Sequence, residues 1–313
     1  MNDQASPHAP AKPLDLVLVV VAAAAFATSS PLAKAITDLD PLLVGAGRCL
    51  VAASAIMLLF PRDTVRRLRA LSIAGRWRLV GAGALLALHF GLFLFGLSKT
   101  SLSAAASLVS LEPLAVVLGA LLAFGVRPTA RELGGVLLAA AGAAWIGHGA
   151  GEGENRLVGD LSVVGAVAVY GAYVMTARAM KDELSGWPYA AAVYFVAAVF
   201  MAPLGLVFAL HAHAAMPAPR TWLFVVLLGL VPTMIGHTLV QRAARHVHPS
   251  IVALISPGET VGSIAIGIAL EHTVPTRVEW SGAALVLCGV VIAVVKRRAK
   301  IPIESQVKPA EGA

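Results

Sequence analysis

Apolar stretches of membrane-crossing length follow one another along this chain, and nothing else in it constrains the fold as strongly. They run over residues 14–34, 42–60, 79–98, 102–124, 133–149, 158–177, 188–210, 221–241, 250–270 and 280–295. Each is close to the ~20 residues that a helix needs to span a bilayer. In lipid every backbone amide and carbonyl must be satisfied within the protein, so a span is a helix or a strand of a closed barrel. Barrel strands alternate polar and apolar residues, and these runs do not. The predicted fold is therefore an all-α polytopic membrane protein with ten transmembrane helices. Composition agrees: 58% of the 313 residues are hydrophobic and 13% charged, against roughly 25% charged in a soluble domain.

The basic residues orient these spans. With the N-terminus in the cytoplasm, 18 of the 24 Lys and Arg fall in cytoplasmic segments and five in outer loops, with Arg48 left inside the second span. That asymmetry predicts cytoplasmic termini and an even number of spans. It also accounts for the basic pI without nucleic acid as a partner, because the charges sit in short loops. Trp77, Trp145, Trp187, Trp222 and Trp280 fall near span ends, as an interfacial aromatic belt requires. Leu14–Ile36 reads as a first span and not as a signal peptide, because its basic flank is thin and more spans follow. Cys49 and Cys288 lie in apolar segments and read as packing residues.

The fourth span holds an internal signal. Ser103–Thr129 is apolar except near its middle, where Glu112 and Pro113 stand. The pattern recurs 147 residues later without a gap. Glu112 matches Glu259, Thr129 matches Thr276, Gly135 matches Gly282 and Gly142 matches Gly289. Spans 4 and 5 thus map onto spans 9 and 10, and each half holds five. An odd number per half reverses the sense in which the second half enters the membrane. The expectation is two inverted five-helix repeats, residues 14–149 and 158–295, with a site near the midplane where they meet. They lie between a disordered N-terminal tail, 1–13, and a basic, polar cytoplasmic tail, 296–313.

Beyond the repeat, several motifs resemble a known family: SSPLAK (Ser29–Lys34), Arg48 in span 2, SLEP (Ser110–Pro113), GDL (Gly159–Leu161), and Gly236–Leu254 running into PGET (Pro257–Thr260). The chain resembles the drug/metabolite transporter superfamily, specifically its ten-helix EamA-type members, over about residues 14–296. The resemblance implies a secondary transporter, commonly an exporter of metabolites, with a central cavity lined mainly by spans 1, 3, 4, 6, 8 and 9. One departure stands out. The family often carries a Glu just after span 4, where this chain has Val126; Glu271 lies near that place in the second half.

Chemistry inside the hydrocarbon falls to a short set of residues. An intramembrane acid is expensive and by default functional, so Glu112 and Glu259 are the first candidates for substrate or proton binding. The alternative is a carboxyl that only caps backbone groups freed by Pro113 or Pro257. Pro113, Pro257 and Gly258 are the expected helix-break points. His89 in span 3 and His237 in span 8 lie at nearly the same height in the two halves, as pH-responsive contacts or neutral core histidines. Arg48 is always charged and needs an anion or water; it lies ~5 Å from the middle of its span, within reach of snorkelling to the surface. Gln241, Tyr170 and Tyr173 complete the candidates. Dense small residues in spans 1, 3 and 5 read as packing scaffold.

No G-x-S-x-G, H-E-x-x-H or Walker A sequence is present, which weighs against an embedded enzyme or an ATP-driven pump. Neither a selectivity element nor rings of charge suggest a channel. No cofactor or metal is expected. The expected partners are a small-molecule substrate and the lipid bilayer, with a homodimer left open, and the location is the cytoplasmic or inner membrane. Two acids with an Arg and two His suit an amino-acid-like zwitterion, exported by alternating access with a proton as coupling ion; lipophilic cations are the alternative substrate, and a non-transporting receptor the remoter one.

Overall fold

The computed structural model describes residues 13–125, 127–149, 156–180, 183–184, 186–236, 239, 255–272 and 274–294. The expectations for the two tails, for the outer loop after span 5 and for the join between spans 8 and 9 fall outside them. Among the described residues all regular structure is helical. The first apolar segment is two helices, α1 (Pro13–Ala27) and α2 (Ser29–Lys34), with a kink at Thr28. Pro13, assigned above to the tail, opens α1: proline is tolerated where the first helical N–H would be unpaired anyway. Next come α3 (Pro41–Leu59), capped by the Asp40 carboxylate, then a short basic helix α4 (Pro61–Arg69), and α5 (Ile73–Lys99). The fourth apolar segment is broken into α6 (Leu102–Val109) and α7 (Glu112–Phe124).

The remaining helices are α8 (Ala130–His148), α9 (Leu157–Ala179), α10 (Trp187–His211), α11 (Pro219–Leu228) with a π-helical continuation over Gly229–Gly236, α12 (Ile255–Glu271) and α13 (Arg277–Val294). Each expected span falls on one or two of these. Six stretches are long and apolar enough to cross a membrane: Pro41–Leu59, Ile73–Lys99, Leu102–Gly119, Leu157–Thr176, Trp187–His211 and Pro219–Gly236; Val20–Lys34 and Gly258–Leu270 are shorter apolar helices. Leu58, Leu122, Leu137 and Leu161 point outward, as side chains facing lipid would. Each of the five tryptophans lies within five residues of a helix end.

Glycine sets the tightest packing, between α8 and α13. A Cβ on Gly135 would stand 2.5 Å from the Gly289 carbonyl oxygen, and one on Gly142 would stand 2.9 Å from that of Gly282. As one number rises the other falls, so the helices run antiparallel. The pairs also interchange: adding 147 to Gly135 and subtracting it from Gly289 gives Gly282 and Gly142. The contacts at the crossing follow the same rule. Gly289 approaches the Ala139 nitrogen, and Gly142 approaches that of Val286, the residue 147 beyond Ala139. Ala139 and Val286 are both fully buried there. Thr129 and Glu132 form a capping box at the start of α8, and Thr276 and Glu279, each 147 later, make the same reciprocal bonds at the start of α13.

Elsewhere α5 lies along α9 and α10, α3 along α10, α1 along α12, and α7 along α9. At one end of the bundle polar side chains tie neighbours together. Lys34 Nζ donates to the carbonyls of Leu97 and Thr100 at the end of α5. The Thr100 hydroxyl donates to buried Asp160 at the start of α9, 2.7 Å, and Ser101 donates to buried Glu279. Asp38 accepts from the Ala218 N–H and the Thr221 hydroxyl at the start of α11. Those two bonds, the backbone one first, hold the Asp38 carboxyl below its usual range.

Candidate functional site

Span 4 supplies the first piece of the site. The helix stops at Val109, turns through Ser110 and Leu111, and restarts at Glu112. The break thus sits just ahead of Pro113, which occupies the first turn of α7, where proline costs least. The turn is tight: Leu111 N–H donates to Leu108, Leu114 and Ala115 N–H to Leu111, and the Ser110 hydroxyl to Ser107. Glu112 therefore stands at a helix N-terminus, where unpaired N–H groups favour a negative charge. Pro257 and Gly258 lie in the first described turn of α12, which is already helical at Ile255 and Ser256, and residues 240–254 are outside the described set.

Glu112 faces α5. His89 Nε2 lies 3.9 Å from Glu112 Oε1. The other ring nitrogen, Nδ1, lies 2.9 Å from the Ala166 carbonyl oxygen of α9. A carbonyl only accepts, so Nδ1 carries the hydrogen. The ring is held among aromatic neighbours, with Phe90 and Tyr170 centroids each 5.2 Å away and Phe93 stacked at 6.4 Å. Tyr173 lies behind Tyr170, 6.1 Å between ring centres, and is itself buried.

The second half contributes Glu259, one turn into α12. Its charge and that of Glu112 act on each other, and the Arg48 guanidinium acts on Glu259. Both carboxyls are deep in the bundle yet neither is sealed; the Glu112 side chain keeps 18% of its surface accessible.

Arg48 departs from the snorkelling expectation. It is 1% exposed and is the largest fully buried side chain among the described residues. Nε donates to the Thr233 hydroxyl at 2.9 Å, the guanidinium lies 4.4 Å from the centre of the Phe90 ring, and Nη1 has no partner among the described residues. The physical reason is local: the π-helical segment opens the backbone around Pro232 and brings Thr233 to the guanidinium. A π-turn inside a helix frequently marks a functional position. The Thr233 hydroxyl in turn donates to Leu228, and Tyr194 of α10 donates to the Thr233 carbonyl. Ser30, of the SSPLAK motif, is also buried with its hydroxyl unpartnered among the described residues.

The structure thus brings together Glu112, Glu259, His89, Arg48, Tyr170 and Tyr173. His237 and Gln241 lie outside the described residues. Thr233, Phe90 and Tyr194 were missed from sequence. Thr233 follows Pro232 in an apolar span, the one hint it offered. Among the described residues no three His, Cys, Asp or Glu side chains gather in a way that could hold a metal ion.

A family model described as the EamA-like transporter family matches the chain twice, over residues 14–147 and 157–295. No curated protein matches it. Among solved structures 18 chains match. One crystal structure of a protein aligns with a TM-score of 0.65 at 19% identity, covering 90% of this chain and 97% of its own. At that identity the likeness shows the fold alone.

Proposed function

This chain belongs to the EamA-like transporter family, and from that premise we propose that it is a secondary transporter of small metabolites, working by alternating access between two inverted repeats. The observation that carries this reading is the convergence of Glu112 and Glu259, equivalent by the 147-residue repeat, beside Arg48 and His89 deep in an apolar bundle. Charged groups are retained at such depth where a solute or ion passes. The antiparallel, interchanging contacts of α8 and α13 support the inversion, since equivalent helices of parallel repeats would point the same way.

The preferred substrate is an amino-acid-like zwitterion moved out of the cytoplasm. Arg48 keeps an N–H unpartnered among the described residues, which suits a substrate carboxylate, and the two acids suit an ammonium. Phe90, Tyr170 and Tyr173 give the site aromatic neighbours. All ten apolar segments span in this reading, and both termini are cytoplasmic. The test is counterflow in proteoliposomes preloaded with a panel of unlabelled amino acids, with tetraphenylphosphonium as the cation probe. Accelerated uptake of one labelled amino acid is the expected result. Exchange of the cation alone would overturn the substrate class, and no exchange of any probe would overturn the transport reading.

A further inference from the structure

Of the two repeat-equivalent acids, Glu112 has a titratable side chain set against it, and that defines its work. Glu112 faces a group that can gain and lose a proton. His89 is locked by its Nδ1 bond to Ala166, so Nε2 is the nitrogen free to titrate, and it points at Glu112 Oε1 across 3.9 Å. The surroundings of the pair are few. The rings of Tyr170 of α9 and of Phe90 and Phe93 of α5 stand around His89, and the charges of Glu259 of α12 and Arg48 of α3 act on the pair.

Resting on the transport reading above, we propose that Glu112 and His89 together carry the coupling proton. The pair holds one exchangeable proton. Taken from water at one face of the membrane, it resides on Glu112 Oε1 or on His89 Nε2, and it leaves to water at the other face. Only O–H and N–H bonds form and break. With the proton on board the pair is neutral, as a carboxylic acid facing an imidazole, or an imidazolium beside a carboxylate. Without it a net negative charge remains beside Glu259, and like charges at this depth repel strongly. Occupancy of the proton thereby alters the field in which a substrate ammonium binds.

The test does not depend on knowing the substrate. Infrared difference spectra of the purified protein in lipid nanodiscs are recorded from pH 4 to 9, following the C=O stretch of a buried protonated carboxyl. Wild type should show a band that grows as pH falls. Glu112→Gln should lose it, Glu112→Asp should restore it at shifted frequency, and His89→Gln should move its midpoint by about one pH unit. Glu259→Gln should keep the band. Loss of the band in Glu259→Gln with its retention in Glu112→Gln would overturn the assignment, as would its absence in wild type. In proteoliposomes, counterflow of the best amino-acid probe by Glu112→Gln and His89→Gln, whatever its rate, should no longer vary with pH. Undiminished pH dependence would count against the pair, whereas absent wild-type counterflow would count against transport itself.

Discussion

Arg48 shows how much one residue can commit the interior of such a protein to. An always-charged guanidinium in a nearly closed site must be matched by acceptors and polarisable surfaces, and here Thr233 and the Phe90 face supply them. Thr233→Val removes a hydroxyl that accepts from Arg48 Nε and leaves that N–H buried without a partner. The expected loss is about 1–3 kcal/mol of stability, read as a lower unfolding temperature in detergent. Adding Arg48→Met to Thr233→Val should cost no more than Arg48→Met alone, since the stranded donor is then gone. Asp38 makes a pH-dependent counterpart outside the membrane. Its bonds to Ala218 and Thr221 lower its folded pKa below the ordinary 3.8. Its contribution is therefore fully present above pH 3.8 and fades as pH falls through the folded value. Asp38→Ala should be less stable than wild type at pH 7, and the gap should close in acid below pH 3.8. An unchanged gap there would mean that packing, not charge, is lost.

At the level of elements, the interface of α8 and α13 depends on Gly135 and not on its neighbour Gly134. A Cβ at Gly135 would meet the Gly289 oxygen at 2.5 Å and the Ala293 nitrogen at 2.6 Å, both backbone atoms that cannot yield without moving a helix. A Cβ at Gly134 would meet nothing within 4 Å. Gly135→Ala should therefore destabilise by about 1–3 kcal/mol. Gly134→Ala should be neutral or slightly stabilising, by up to ~1 kcal/mol from helix propensity. Equal effects from both would refute the packing. This close approach was legible in the sequence, because the matching of Gly142 with Gly289 signalled it. Local backbone departures were less so. The break ahead of Glu112 was expected from Pro113 but falls at Ser110 and Leu111. The kink at Thr28 and the π-helical turn at Gly229–Gly236 had no periodic signature. The basic helix α4, PRDTVRRLR, is built from charges that read as a loop, and its Asp63 pairs with Arg66 and Arg67. Contacts such as Arg48 to Thr233, 185 residues apart, depend on how helices cross, which hydropathy does not encode.

For the whole molecule, sidedness is the property on which the transport reading depends most, since it decides which face of the membrane each end of the bundle meets. The argument for it is electrostatic. Lys and Arg are retained on the cytoplasmic side during insertion, and 18 of 24 fall there if the N-terminus is cytoplasmic. α4 is the sharpest case, carrying Arg62, Arg66, Arg67 and Arg69 within nine residues. The loop between α10 and α11 is its opposite, since residues 212–218 hold no Lys or Arg. An odd number of spans separates the two, five in the ten-span reading, so they should lie on opposite faces. Both offer accessible positions: the Arg66 side chain is 77% exposed and Met216 is 87% exposed. In a background with Cys49 and Cys288 replaced, Arg66→Cys should react with an impermeant maleimide only after the membrane is opened. Met216→Cys should react in intact cells. Reaction of both from one side would break the ten-span count, and with it the odd five-span repeat that makes the second half inverted. Reaction with the sides exchanged would keep the repeat and turn the protein over, placing the Lys34, Asp38, Asp160 and Glu279 ties on the cytoplasmic face.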